Sequence, residues 1–183
     1  ENRGEELDGK TVGIIGFGNN GAAFAKKLRG FEVKILAYDK YKTGFGDSWV
    51  QESTLDAILK NADIISLHIP QNKETIHWVN DAFIASVEKP FYLLNLSRGK
   101  IVDTESLVRG LASQKIKAAG LDVLEYESKD FESIVAQQLP AALNYLLQSN
   151  RVILTPHVGG WTRESYFKLS NILADKILDF YQD

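Results

Sequence analysis

The chain has 183 residues, 44% of them hydrophobic and 25% charged, and a formal net charge of −3. That length suits one domain, and the acidic balance excludes the basic surface that nucleic-acid binding requires. There is no cysteine, which excludes disulfides and thiolate metal sites, and every apolar run falls far short of the ~18 residues that span a bilayer. No signal peptide is visible, so a cytoplasmic location is the default expectation. No nucleic acid, membrane or metal is expected as a partner. The chain starts at Glu1 and contains no methionine, and residues 1–9 are a polar lead-in. A piece of a longer protein is therefore expected.

Short apolar runs alternate with amphipathic segments. The first run, Thr11–Ile15, is β-branched, as fully buried parallel strands are. It leads into Gly16-Phe17-Gly18-Asn19-Asn20-Gly21, with a helix predicted over Asn20–Leu28. This G-x-G-x-x-G spacing between strand and helix suits a dinucleotide pyrophosphate. The first glycine allows a tight turn, the second lets backbone approach phosphate, and the third lets helix pack on strand. The helix amino terminus adds unpaired N–H groups and a favourable dipole. A flexible glycine-rich turn is the competing reading, because the pattern is common. Asn20 stands where an apolar residue is usual. It either weakens packing or contributes a hydrogen bond.

A second strand, Val33–Tyr38, ends at Asp39, which lies 18 residues after Gly21. A carboxylate there accepts both ribose hydroxyls of NAD and repels a 2′-phosphate. Lys40 and Lys42 leave some tolerance of NADP open, and a solvated strand-end Asp is the bland alternative. A helix is predicted over Leu55–Lys60, a strand over Ile64–His68 and a long helix over Lys73–Val87. His68, close to Pro70, is expected to line the cofactor cleft. His77 reads as an ordinary helix-surface residue.

The strand Phe91–Leu96 is followed by Ser97-Arg98-Gly99. Arg98 thus lies at the carboxyl edge of the sheet, where ligands bind in open α/β folds. An arginine there can grip a carboxylate bidentately and polarise the neighbouring carbonyl. After a predicted helix, Thr104–Ser113, the strand Ala118–Val123 brings Asp122 to the same edge. Asp122 is placed either to hold a nicotinamide carboxamide or to serve as a cap or turn residue. The segment 126–150 interrupts the rhythm and carries a helical pattern over Pro140–Gln148. It reads as a dimer contact, an interdomain contact or a plain surface excursion.

A last strand, Val152–Thr155, precedes His157 and the glycines Gly159 and Gly160. A histidine there can donate the proton that a carbonyl needs as hydride arrives. Glu127 is the candidate carboxylate to fix its ring. The closing helix, Thr162–Tyr181, has Tyr166, Leu169, Ile172, Leu173, Ile177 and Phe180 at helical spacing. The whole pattern predicts a single-domain α/β fold: a Rossmann-type, doubly wound parallel sheet with helices on both faces. Residues 1–9 form the lead-in, 10–160 the dinucleotide domain and 161–183 the C-terminal helix.

Five runs carry a resemblance that spans nearly the whole chain: Gly9 to Gly18, Ser66 to Pro70, Asn95 to Asp103, Gly120 to Val123, and Thr155 to Gly160. They resemble the D-isomer-specific 2-hydroxyacid dehydrogenases. The resemblance implies an NAD-dependent oxidoreductase that moves a hydride between nicotinamide and a D-2-hydroxy acid or 2-oxo acid. It implies that Arg98 binds substrate and that Glu127 and His157 form the acid/base pair. Gly16, Gly18, Asn19, Asn20 and Gly21 would meet the pyrophosphate. Pro70, Leu96, Ser97, Asp122, Gly159 and Gly160 would surround the nicotinamide and adenosine. It further implies a homodimer, for which surface around Trp78, Trp161 and 126–150 is available if those aromatics are not core. In this family the dinucleotide domain is inserted into a substrate domain. The amino-terminal part of that domain is absent here, and the last helix would lead back towards it. Ser128 replaces the usual proline after the glutamate, and Glu125 is a rival for the role of Glu127. A non-catalytic NAD-sensing or co-repressor-like protein is the alternative function, and a methyltransferase using S-adenosylmethionine is a distant third.

Overall fold

A computed structural model describes residues 4–127 and 139–182. Seven parallel strands form one sheet: β1 (Thr11–Ile15), β2 (Lys34–Tyr38), β3 (Val50–Glu52), β4 (Ile64–Leu67), β5 (Phe91–Asn95), β6 (Ile116–Leu121) and β7 (Val152–Leu154). Their order is β3-β2-β1-β4-β5-β6-β7. The order reverses between β1 and β4, so a crevice opens there beyond the carboxyl ends of the strands. The α-helices among the described residues are α1 (Asn19–Lys27), α2 (Leu55–Asn61), α3 (Asp81–Ser86), α4 (Thr104–Ala112), α5 (Ala141–Gln148) and α6 (Arg163–Gln182).

Alternation along the central strands sorts two cores. Ile15, Leu36, Ile65, Leu67, Phe91 and Leu93 face α2, α3 and α4, and Leu146 of α5 joins them. Val12, Ile14, Ile35 and Ala37 face α1 through Ala25. Helices therefore cover both faces, as the pattern of the sequence predicts. Each fully buried Ile, Leu or Phe contributes about 1.5–3 kcal/mol, so the rigid centre of the sheet is what holds the strand ends in place.

Two expectations need correction. Helix Lys73–Val87 shrinks to α3, because the amides of its first half are used elsewhere. His77 and Val79 donate to the carbonyls of Lys100 and Ile101, and His77 has a φ of 51°, which no α-helix tolerates. Asn80 then starts α3 by accepting hydrogen bonds from the amides of Ala82 and Phe83, a cap contributing about 1 kcal/mol. His77 is accordingly not a helix-surface residue. Strand β3 was not anticipated, since three residues at a sheet edge show no readable period. Residues 128–138 of the 126–150 excursion lie outside the described residues; its end is α5, seated on α4 through Ala142, Leu143 and Leu146. Helix α6 keeps its apolar residues exposed, from Ile177 at 48% to Tyr181 at 81%.

Candidate active site and cofactor cleft

Every predicted site residue lies at or just beyond the carboxyl edge of the sheet. Gly16 follows β1 with a φ of 94°, and a Cβ there would lie 2.5 Å from the His68 carbonyl oxygen. A Cβ on Gly21 would lie 2.1 Å from the carbonyl oxygen of Gly16. Both glycines are demanded by the fold itself. Gly18 is different: a Cβ there meets nothing within 4 Å. The space in front of it is open, and it borders a cavity of about 600 Å³ with Asn19, Asn20, Pro70, Leu96, Ser97 and Arg98. Helix α1 starts at this cavity with no side-chain cap. Its first amides, including those of Asn19 and Asn20, therefore remain available to an anion.

Asp39, beyond β2, accepts from the Phe17 amide at 2.8 Å and from those of Tyr41 and Lys42 at 2.9 and 3.0 Å. Burial pushes its carboxyl up, but these three donors outweigh burial and hold it below the usual carboxylate value. Asp39 is thus ionised, and it fastens the glycine loop. Since a carboxylate offers about four acceptor sites, little capacity remains for two ribose hydroxyls. Beside it lies a second cavity of about 360 Å³, walled by Tyr38, Leu55, Ile69, Pro70 and Trp78. Trp78 also packs against Phe83, with tilted rings whose centroids are 4.9 Å apart, so it belongs to this wall and to the core.

Beyond β5, the Asn95 side chain shapes the turn that carries Arg98. It accepts from the amide and hydroxyl of Ser97 at 3.1 and 2.8 Å and donates to the Arg98 carbonyl at 3.0 Å. The Arg98 side chain is exposed and folds back on the Ser97 carbonyl at 2.7 Å. It makes no ion pair with any described carboxylate. A Cβ on Gly99 would fall 1.8 Å from the Leu124 carbonyl oxygen, so the Arg98 turn packs directly on the loop that bears Glu127.

That loop delivers a His–Glu pair. Glu127 Oε2 lies 3.0 Å from His157 Nδ1, and its Oε1 accepts from the Leu124 amide at 2.8 Å. His157 has a φ of 53°. Asp122 holds this segment, accepting from the Thr155 hydroxyl at 2.5 Å and from the amides of Val158 and Gly159 at 2.9 and 2.8 Å. Burial raises the Asp122 carboxyl, but the Thr155 hydroxyl and the two amides draw it below its ordinary range. A Cβ on Gly159 would meet Asp122 Oδ2 at 2.8 Å, whereas one on Gly160 meets nothing within 4 Å. The rival Glu125 is engaged elsewhere, with Thr104 at 2.7 and 2.9 Å and His77 Nε2 at 2.5 Å. The tasks of Asn95, Thr155 and His77 went unforeseen. The one sequence signal was Asn95, a polar residue closing an apolar strand.

The family profile described as D-isomer specific 2-hydroxyacid dehydrogenase, NAD binding domain, matches residues 1–159. The chain belongs to this family. As an NAD-binding domain it takes NAD as its cofactor, and the open space at Gly18, the uncapped α1 and the apolar second cavity fit a dinucleotide. A D-specific alpha-keto acid dehydrogenase of Enterococcus faecalis is 41% identical over 87% of this chain and 49% of its own length. A glyoxylate reductase of Thermofilum pendens is 36% identical over 96% of this chain and 49% of its own length. Among solved structures, D-lactate dehydrogenase from Aquifex aeolicus with NAD and lactic acid has a TM-score of 0.84 and 32% identity, covering 97% of this chain and 55% of that one. The chain spans about half the length of the curated relatives it matches.

Proposed function

We propose that the complete protein is an NAD-dependent D-2-hydroxyacid dehydrogenase, and that this domain supplies its cofactor site and its acid/base pair. The observation that carries the proposal is convergence. The uncapped start of α1, the exposed Arg98 and the 3.0 Å His157–Glu127 pair share one edge of one sheet. The names of the relatives, which include glyoxylate reductase and D-specific alpha-keto acid dehydrogenase, support a small 2-oxo or 2-hydroxy acid as substrate.

The amides of Asn19 and Asn20 hold the pyrophosphate, with Gly16, Gly18 and Gly21 permitting its approach. Asp39 faces the adenosine ribose, while Pro70, Leu96, Ser97, Asp122, Gly159 and Gly160 surround the nicotinamide and adenosine. Bound NAD supplies the hydride acceptor and, when reduced, the hydride donor. Arg98 pairs with the substrate carboxylate and orients its 2-oxo group. Glu127 fixes His157 through Nδ1, so that Nε2 gives a proton to the carbonyl oxygen in reduction and takes it back in oxidation. Asp122 and Gly159 keep His157 at the cleft. A homodimer and a cytoplasmic location complete the proposal; the exposed apolar residues of α6 and Trp161 support a protein contact there.

Calorimetric titration of this chain with NADH and NADPH is the test. NADH-preferring binding is expected, with little turnover by this chain alone. Absence of binding to either cofactor would overturn the assignment of the glycine loop and Asp39.

A further inference from the structure

We propose that Glu74 is a specificity-determining residue: it selects the unphosphorylated cofactor by holding Lys40 across the mouth of the adenosine pocket. That pocket is the cavity beside Asp39, and the inference rests on the placement of the adenosine ribose at Asp39 proposed above. Asp39, Lys40, Tyr41 and Glu74 line the same cavity. Lys40 directly follows Asp39, the position from which a cation meets a 2′-phosphate. Its Nζ instead lies 2.5 Å from Glu74 Oε2, with both side chains more than half exposed at the rim.

The position of Glu74 is built, not incidental. Its amide donates to Asn72 Oδ1 at 2.8 Å, the Thr75 amide donates to the same oxygen at 3.1 Å, and the Thr75 hydroxyl donates to the Pro70 carbonyl at 2.7 Å. This turn fixes the loop after β4 opposite the end of β2. The other nearby cation, Lys42, reaches the Phe17 carbonyl at 3.5 Å. Two carboxylates therefore stand at the rim, one from each side of the switch point. A 2′-phosphate, carrying about −1.5 to −2 charges, meets both of them and a lysine already paired.

The two carboxylates differ in a way that makes the inference testable. Asp39 also ties down Phe17 in the glycine loop, so its removal disturbs every dinucleotide. Glu74 has no hydrogen bond to that loop among the described residues, so its charge can be removed while the phosphate site stays intact.

The experiment measures Kd for NADH and NADPH by calorimetry on this chain and on Glu74→Gln and Glu74→Gln/Lys40→Gln variants. In Glu74→Gln the ratio of the NADPH Kd to the NADH Kd falls about three- to tenfold, as expected for an exposed charge. Adding Lys40→Gln returns the ratio towards the parent value. An unmoved ratio in the single variant overturns the proposal. An equal fall in the double variant also overturns it, because the gain would then come from lost negative charge and not from release of Lys40. If the parent chain binds neither cofactor, the assignment of the pocket itself fails and Glu74 falls with it, and that result appears before any variant is made.

Discussion

Two glutamates of one loop each meet a histidine, and the difference between the pairs shows what makes such a pair usable. Glu125 meets His77 and Glu127 meets His157, with the carboxylates only two residues apart. Both histidines hold the left-handed backbone, at φ of 51° and 53°, and exposure does not separate the carboxylates, at 18% and 27%. The surroundings do. Glu125 is taken up by the amide and hydroxyl of Thr104 as well as by His77, and His77 Nδ1 lies 3.7 Å from Asp103. Both ring nitrogens of His77 face carboxylates, and Glu125 also holds Thr104, so the cluster locks the Thr104 end of α4 to the loop. In the second pair, His157 Nε2 makes no hydrogen bond among the described residues, and its side chain is half exposed. The same chemistry is a structural lock in one place and a candidate proton donor in the other.

The strongest way to break this comparison is to exchange the histidines' fates. In the complete enzyme, His157→Gln should lower kcat by about 10²–10⁴-fold, while His77→Gln should lower it less than about tenfold. Comparable losses would erase the distinction. Arg98→Lys should lower kcat/KM by about 10²-fold, since a point charge cannot reproduce the bidentate grip; an unchanged value would remove Arg98 from the substrate site. The carboxylates sharpen the comparison on a smaller scale. Glu125→Gln should cost about 1–2 kcal/mol of stability through weakened bonds to Thr104 and His77, roughly a 2–8 °C fall in Tm for a chain of this size. Glu127→Gln should leave Tm nearly unmoved and show its effect in kcat. A reversed pattern in melting and kinetics would reassign the acid/base partner to Glu125.

The parts of this molecule legible in the sequence are those that depend on position along a strand. Gly16, Asp39, Arg98, Asp122 and His157 each follow an apolar run, and a parallel sheet brings all such ends to one edge. Glu127 was legible for a weaker reason, its place in a family motif, with Glu125 competing. Contacts across the fold were not legible. The bond from Asp39 to Phe17, the clamp of Asp122 on Val158 and Gly159, and the Glu74–Lys40 bridge depend on loop conformations that have no period. The turn at 71–79 was misread because Ile76, Val79, Phe83 and Ile84 fall at helical spacing, whereas pairing of Val79 beside Val102 overrides that local preference.

The third histidine completes the comparison and yields the smallest predicted effect. His68 is largely buried against Phe24, with ring centroids 5.2 Å apart, and its Nε2 lies 2.9 Å from the Ser66 hydroxyl. Burial lowers its pKa from 6.5 to about 4, so it is neutral near pH 7 and is no reservoir of protons for the cleft. The sign of its effect on stability follows. The folded state binds this proton less readily than the unfolded chain, so stability is complete above the unfolded value of 6.5 and is lost as pH falls towards 4. Between about pH 7.5 and 6 the loss amounts to about 0.8 kcal/mol. The carboxyls of Asp39, Asp63 and Asp122 are held below their ordinary values and add nothing in this window. Urea denaturation at both pH values should show the loss in the parent chain and a smaller one in His68→Gln. Equal losses in the two proteins would mean that His68 is not the titrating group.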